Sequence, residues 1–145
     1  MGRLSGKVAI VTGAARGTGA TTARLFAAEG ARVVVTDVLE ELGASVAHEI
    51  GEAAHFAALD VSSESAWRAV VEDVGRRFGR IDVLVNNAAV LHVAAIEDTT
   101  AEDFLRVFRV NQLGPLLGIR AVTPAMREAG GGSIVNVASV DALRG

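Results

Sequence analysis

Lys7-Val8-Ala9-Ile10-Val11-Thr12-Gly13-Ala14-Ala15-Arg16-Gly17-Thr18-Gly19 passes from a short apolar run, through a glycine-rich turn, into a stretch of helical period. Lys7 to Thr12 is too uniformly apolar for a strand with one wet face, so it reads as a strand covered on both sides, central in a parallel sheet. The helix that follows is expected from about Gly17 to Glu29, closed by Gly30. Glycines between a strand and a helix let the backbone turn tightly and approach a pyrophosphate, while free N–H groups at the helix N-terminus face its negative charge. Gly13, Arg16, Gly17, Thr18 and Gly19 are therefore candidate phosphate-binding residues. Taken alone, the same turn also fits a tight connection with no ligand.

The next segment separates these alternatives. Arg32-Val33-Val34-Val35-Thr36 is β-branched and reads as a second strand, and Asp37 ends it, 24 residues after Gly13. A carboxylate there can accept hydrogen bonds from the adenosine ribose hydroxyls of a dinucleotide. Its charge disfavours a 2′-phosphate, which points to NAD rather than NADP, with Arg16 and Arg32 as nearby cations opposing a strict preference. The other reading of Asp37 is a turn or cap residue before the second helix.

Further along, strand-length apolar runs keep alternating with helical stretches. A second helix is expected over Glu40–Ile50 with Gly51 as its stop, then a third strand over 55–59. Ser62 or Ser63 caps a third helix that turns Trp67, Val70, Val71, Val74 and Phe78 inward and ends by Gly79. A fourth strand covers 81–85. A long helix begins after Thr99 or Thr100, with Glu102 and Asp103 at the positive end of its dipole. Phe104, Val107, Phe108, Leu116, Leu117 and Ile119 form its apolar stripe, Pro124 is the expected site of disturbance, and Gly130 ends it. A fifth strand spans 133–138. No linker or repeat divides the chain, so residues 1–145 are expected to form one α/β domain, a three-layer doubly wound parallel sheet of order 3-2-1-4-5 with right-handed crossovers.

Composition narrows the function classes. Half of the 145 residues are hydrophobic, enough for a packed core, and the net charge of −3 comes with scattered rather than clustered cations, which makes nucleic acid a poor partner. There are no cysteines, and His48, His55 and His92 lie far apart, so no structural metal site is expected. No stretch approaches the roughly 18 apolar residues that cross a bilayer, and no secretory leader is visible, so a soluble cytoplasmic protein is the expectation.

The motifs taken together resemble the short-chain dehydrogenase/reductase family. Thr-Gly-x-x-x-Gly-x-Gly over Thr12–Gly19 is that family's form of the glycine turn, and further motifs follow in order. Asp60-Val61 resembles the pair that contacts adenine. Asn86-Asn87-Ala88-Ala89 is similar to the family's Asn-Asn-Ala-Gly after strand four, with Asn87, Ala88 and Ala89 beside the cofactor; Ala89 departs from the usual glycine and places a methyl near the nicotinamide side. Asn111, in Val110-Asn111-Gln112-Leu113-Gly114, matches the catalytic asparagine of the long helix, which holds a water in a proton relay. Ser139 closes the fifth strand, where the family's serine bonds the substrate oxygen and stabilises charge developing on it. His92 follows the Asn-Asn-Ala-Ala turn and reads either as a lining residue of a substrate pocket or as a loop histidine.

The resemblance implies a Rossmann fold, NAD as cofactor, and hydride transfer between nicotinamide and a small-molecule secondary alcohol or ketone. Asp37–Glu41 and Pro124-Ala125-Met126 look most like bacterial NAD-linked hydroxysteroid dehydrogenases. Relatives commonly form tetramers through the long helix, so a homo-oligomer is expected. The family also uses a tyrosine, activated by a lysine four residues on, to exchange the proton. No tyrosine occurs here, and the chain ends at Asp141-Ala142-Leu143-Arg144-Gly145, before the Tyr-x-x-x-Lys helix and the family's last strands. Two readings follow: a truncated dehydrogenase inactive by itself, or a non-catalytic NAD-binding or interaction module. A flavodoxin-like or receiver domain shares the alternation but not the glycine turn.

Overall fold

The apolar run at the head of the chain becomes β1 (Val8–Thr12), buried at every position. Its side chains alternate between two separate cores, as the two-residue period of a strand requires. Val8 and Ile10 point to one side with Trp67, Val74 and Val122, and Ala9 and Val11 to the other with Ala20, Ala23 and Val46. The computed structural model describes residues 2–140; Met1 and 141–145, which include the chain-end segment quoted above, lie outside the described residues. β2 (Arg32–Asp37) and β4 (Val83–Asn86) flank β1 in parallel, with Ile10 opposite both Val34 and Leu84. β3 (Ala54–Ala58) pairs with β2, and β5 (Ser133–Asn136) pairs with β4. The order is β3-β2-β1-β4-β5, as expected.

α1 (Gly17–Ala28) and α2 (Glu40–Ile50) cover one face of the sheet; α3 (Glu64–Phe78) and α5 (Gly114–Glu128) cover the other. Of the two serines before α3, Ser63 is the cap, its hydroxyl accepting from the Ala66 N–H. α4 (Ala101–Phe108) starts with a reciprocal capping box between Thr100 and Asp103.

The long helix departs from expectation. It continues through Pro124, where the Thr123 hydroxyl donates to the Ile119 carbonyl one turn back. Its break lies earlier, in a π-helical turn at Arg109–Leu113 between α4 and α5. One extra residue per turn rotates everything beyond it by roughly 100°, so no single apolar stripe can run the full length. Leu117, Val122 and Met126 are buried, whereas Phe104, Phe108 and Leu116 stay exposed, the two phenylalanine rings stacked on each other 6.4 Å apart.

Strand limits also shift. β3 starts one residue earlier than the pattern indicated, and β5 ends at Asn136. β4 begins at Val83 rather than Ile81, because Asp82 pairs with β1 partly through its side chain. Its N–H donates to the Val8 carbonyl, and its carboxylate accepts the Val8 N–H at 2.9 Å and the Arg80 guanidinium at 2.8 Å. Its own carbonyl accepts the Ser133 N–H of β5. One residue thus pins the lower ends of three strands.

Burial pushes the Asp82 carboxyl up, but the bonds from Arg80, the Val8 N–H and Lys7 outweigh it and leave the group below its ordinary value. A carboxylate depressed in the folded state contributes stability that is complete above its unfolded pKa of about 3.9. That stability is lost as pH falls through the lower folded value. Asp82→Ala is expected to reduce unfolding free energy by roughly 2 to 4 kcal/mol at pH 7, measured in urea, with the gap to wild type closing at strongly acid pH. A gap independent of pH would contradict this account of Asp82.

Candidate functional site

The upper ends of β1 and β4 diverge into turns that are stitched together. Thr12, the last residue of β1, is buried; its hydroxyl donates to the Val85 carbonyl and accepts both the Asn87 and Ala88 N–H groups at 3.0 Å. The Asn87 side-chain amide returns the contact, donating to the carbonyls of Thr12 at 2.9 Å and Gly13 at 3.1 Å. Gly13 sits at φ +62°, in the left-handed region, and a Cβ there would lie 2.7 Å from the Ala88 Cα. Glycine is needed at that position for two separate reasons, conformation and space.

On the other side, the Ala14 N–H donates to the Thr36 carbonyl and the Ala15 N–H to Asp37 Oδ2 at 3.0 Å. The second Asp37 oxygen accepts the Leu39 N–H at 3.0 Å, closing the turn into α2. Asp37 is therefore a turn residue, as one of its two sequence readings has it, and it also reaches the glycine turn. α1 opens at Arg16 with no side-chain cap and no acidic residue in its first turn, so its positive end is free for an anion.

Between these turns lies a cleft of about 350 Å³. Gly13, Arg16, Asp37, Asp60, Val61, Asn87, Ala88 and Ala89 all line it, so eight of the eleven candidate cofactor residues converge from four separate strand ends. The other three do not line it. Gly17 and Thr18 are exposed at the start of α1, and Gly19 is buried beneath the turn, where a Cβ would lie 2.2 Å from the Gly13 carbonyl oxygen. Gly19 thus serves close helix–strand packing. Sequence reasoning passed over Val38, Leu39, Leu59, Val90 and Val110, which supply the apolar lining. Only Val38 and Leu39 left a signal, as apolar residues where a polar helix entry is usual.

Asp60 does not aim its carboxylate freely into the cleft, since Oδ1 accepts both the Ser62 N–H and the Ser62 hydroxyl. Asn111 is not among the lining residues. Its amide pairs with both backbone polar groups of Val90, accepting the N–H and donating to the carbonyl, each at 2.9 Å. It lies within the π-helical turn and ties that turn to the loop lining the cleft. Ser139 lies three residues beyond the end of β5 and is exposed. β5 is held beside β4 by the ladder and by the Asn86 amide, which donates to the Asn136 side-chain carbonyl at 2.8 Å.

His92 is not part of the cleft lining. Its ring approaches the Thr99 hydroxyl at 3.4 Å and Asp103 at 3.7 Å, fastening the loop after β4 to the start of α4. Hydrogen bonds from Thr100, aided by His92 and Arg106, hold the Asp103 carboxyl below its ordinary value. Among the described residues no cluster of potential metal ligands gathers, and no helix is long and apolar enough to cross a membrane.

The family model described as short chain dehydrogenase matches residues 7–145. The chain is 48% identical over 144 residues to a 3-alpha-(or 20-beta)-hydroxysteroid dehydrogenase of Mycobacterium bovis, covering 99% of this chain and 55% of that protein. It is 44% identical over 148 residues to a cyclopentanol dehydrogenase of Comamonas, covering 100% of this chain and 59% of that protein. With a trans-4-hydroxycyclohexanecarboxylate dehydrogenase of Sinomonas cyclohexanicum it shares 40% identity over 152 residues, covering 99% and 58%. The chain thus spans little more than half the length of these curated relatives.

Replacing the Thr12 hydroxyl tests the join between the two turns. Thr12→Val leaves the Asn87 and Ala88 N–H groups without their acceptor and is expected to cost roughly 2 to 4 kcal/mol of unfolding free energy. Thr12→Ser keeps the hydroxyl and should cost about 1 kcal/mol, the worth of one buried methyl. Equal losses in urea denaturation would remove the clamp from the account.

Proposed function

This chain belongs to the short-chain dehydrogenase family, and on that footing we propose that it holds NAD for hydride transfer between the nicotinamide ring and a secondary alcohol or its ketone. One observation carries the cofactor reading: the carboxylate that would take the adenosine ribose and the turn that would take the diphosphate meet in one cleft, joined by the Asp37 to Ala15 hydrogen bond. The open N-terminus of α1 supplies the dipole and amides for the diphosphate. The Asp37 carboxylate would accept from the ribose hydroxyls and repel a 2′-phosphate, which favours NAD over NADP. Val38 and Val61, which line the cleft, would offer apolar surface to the adenine, and Asn87, Ala88 and Ala89 would border the nicotinamide half.

When bound, the cofactor supplies the hydride chemistry. The chain's own work is positioning. Ser139 donates to the substrate oxygen, and Asn111 braces the loop beside the reacting end through Val90. The relatives are named for a hydroxysteroid, cyclopentanol and a hydroxycyclohexanecarboxylate, which makes an alicyclic or steroid alcohol the proposed substrate class.

Asp37→Ala is expected to weaken NAD binding by about 1.5 to 3 kcal/mol in calorimetry, the usual worth of hydrogen bonds to a charged group, and to narrow the difference between NAD and NADP. Unchanged NAD affinity would remove the ribose role.

The partner proposal is self-association in a cytoplasmic setting. Among the described residues β5 is an edge of the sheet with Ile134, Val135 and Val137 exposed, and an apolar edge pairs readily with another chain. Light scattering is expected to report dimers or larger species. A stable, monodisperse monomer would count against it.

A further inference from the structure

We propose that Trp67 is a positioning residue for the adenine end of the cleft, holding Val61 at its working depth through the indole N–H. The inference rests on the dinucleotide reading above. Val61 is a lining residue of the cleft although largely buried, and its carbonyl, outside any strand, has no ladder partner. The Trp67 indole Nε1–H donates to that carbonyl at 3.0 Å. Trp67 is 1% exposed, so the bond is shielded from water, and its loss would strand a buried acceptor.

The indole is itself fixed from behind. On α5, Gly114 and Gly118 lie one turn apart on the face that meets this segment. A Cβ at Gly118 would lie 2.7 Å from the Trp67 ring, and one at Gly114 would lie 2.8 Å from a Val61 methyl. Val61 therefore packs at Gly114 and the indole at Gly118, two positions where this helix has no side chain. The other fasteners of the segment are the Leu59 N–H to the Asp37 carbonyl and the Asp60–Ser62–Ser63 turn, none of which reaches α5. Through Trp67, the wall that meets adenine takes its position from the helix behind it.

The test compares the two halves of the cofactor. Wild type and Trp67→Phe are titrated by calorimetry with AMP, nicotinamide mononucleotide and NAD. The expected result is an affinity loss of about fivefold to tenfold for AMP and NAD, the equivalent of one hydrogen bond, with nicotinamide mononucleotide unchanged. No loss, or an equal loss for both half-molecules, overturns the proposal, since a purely structural tryptophan would not separate them. Should the variant fail to fold, the unmutated chain decides. Trp67 is its sole tryptophan, so its indole ¹⁵N–¹H signal stands alone. Saturating AMP is expected to shift that signal and slow its hydrogen exchange, and nicotinamide mononucleotide to leave it in place. An indole signal indifferent to AMP overturns the proposal. A wild type that binds neither AMP nor NAD instead brings down the dinucleotide reading, and this inference with it.

Discussion

The close approach of two turns, one after β1 and one after β4, is the constraint on which the rest of this molecule depends. Strand order reverses direction there, from β2 on one side of β1 to β4 on the other, so the connecting helices leave on opposite faces and a crevice opens between them. Such a crevice would be a weak point if its walls could drift. The Thr12 hydroxyl and the Asn87 amide prevent this by satisfying backbone groups of one turn with side chains of the other. Because neither side chain is exposed enough for water to substitute fully, the walls hold a set separation. Gly13 permits that separation; any side chain would have to force the turns apart.

Outward from this join, each feature of the cleft takes its place from a neighbour rather than from its own segment. The glycine turn is tied to β2 through Thr36 and Asp37, and the loop after β4 is tied to the long helix by Asn111. Asn111 sits in a π-helical turn, and α4, which precedes that turn, leaves its phenylalanines exposed. At the opposite end of the sheet Asp82, buried and compensated by Arg80, does for the strand starts what Thr12 does for the strand ends. The sheet is therefore fastened at both ends, and the cleft sits on a rigid base.

Much of the fold is legible in the residues themselves. A covered strand needs a continuous apolar run, and β1, β2 and β4 have one; helix ends need caps, and Ser63, Thr100 and Gly79 stand where caps are required. The π-helical turn is not legible, because the bonds that accompany it join Asn111 to Val90, a residue far away in sequence. The start of β4 is misread for a similar reason: Asp82 looks like strand but uses its side chain on β1. In the site, glycines and carboxylates are readable because few residue types can perform their work. The apolar lining is not, since Leu59, Val90 and Val110 look like any core residue until the surface they border is known.

By itself, then, the sequence determined the alternation of strands and helices, the place of the glycine turn, and the carboxylate of Asp37 beyond strand two. These follow from local physics: backbone conformations open only to glycine, periodicities of two and 3.6, and charge. Tertiary structure alone decided which of those residues share a cleft, that Asp37 already grips the glycine turn, that Gly19 packs instead of facing the cleft, and that Trp67 reaches back to Val61. Such matters depend on distances between segments remote along the chain, set only when both cores close on the sheet and every buried donor must find an acceptor.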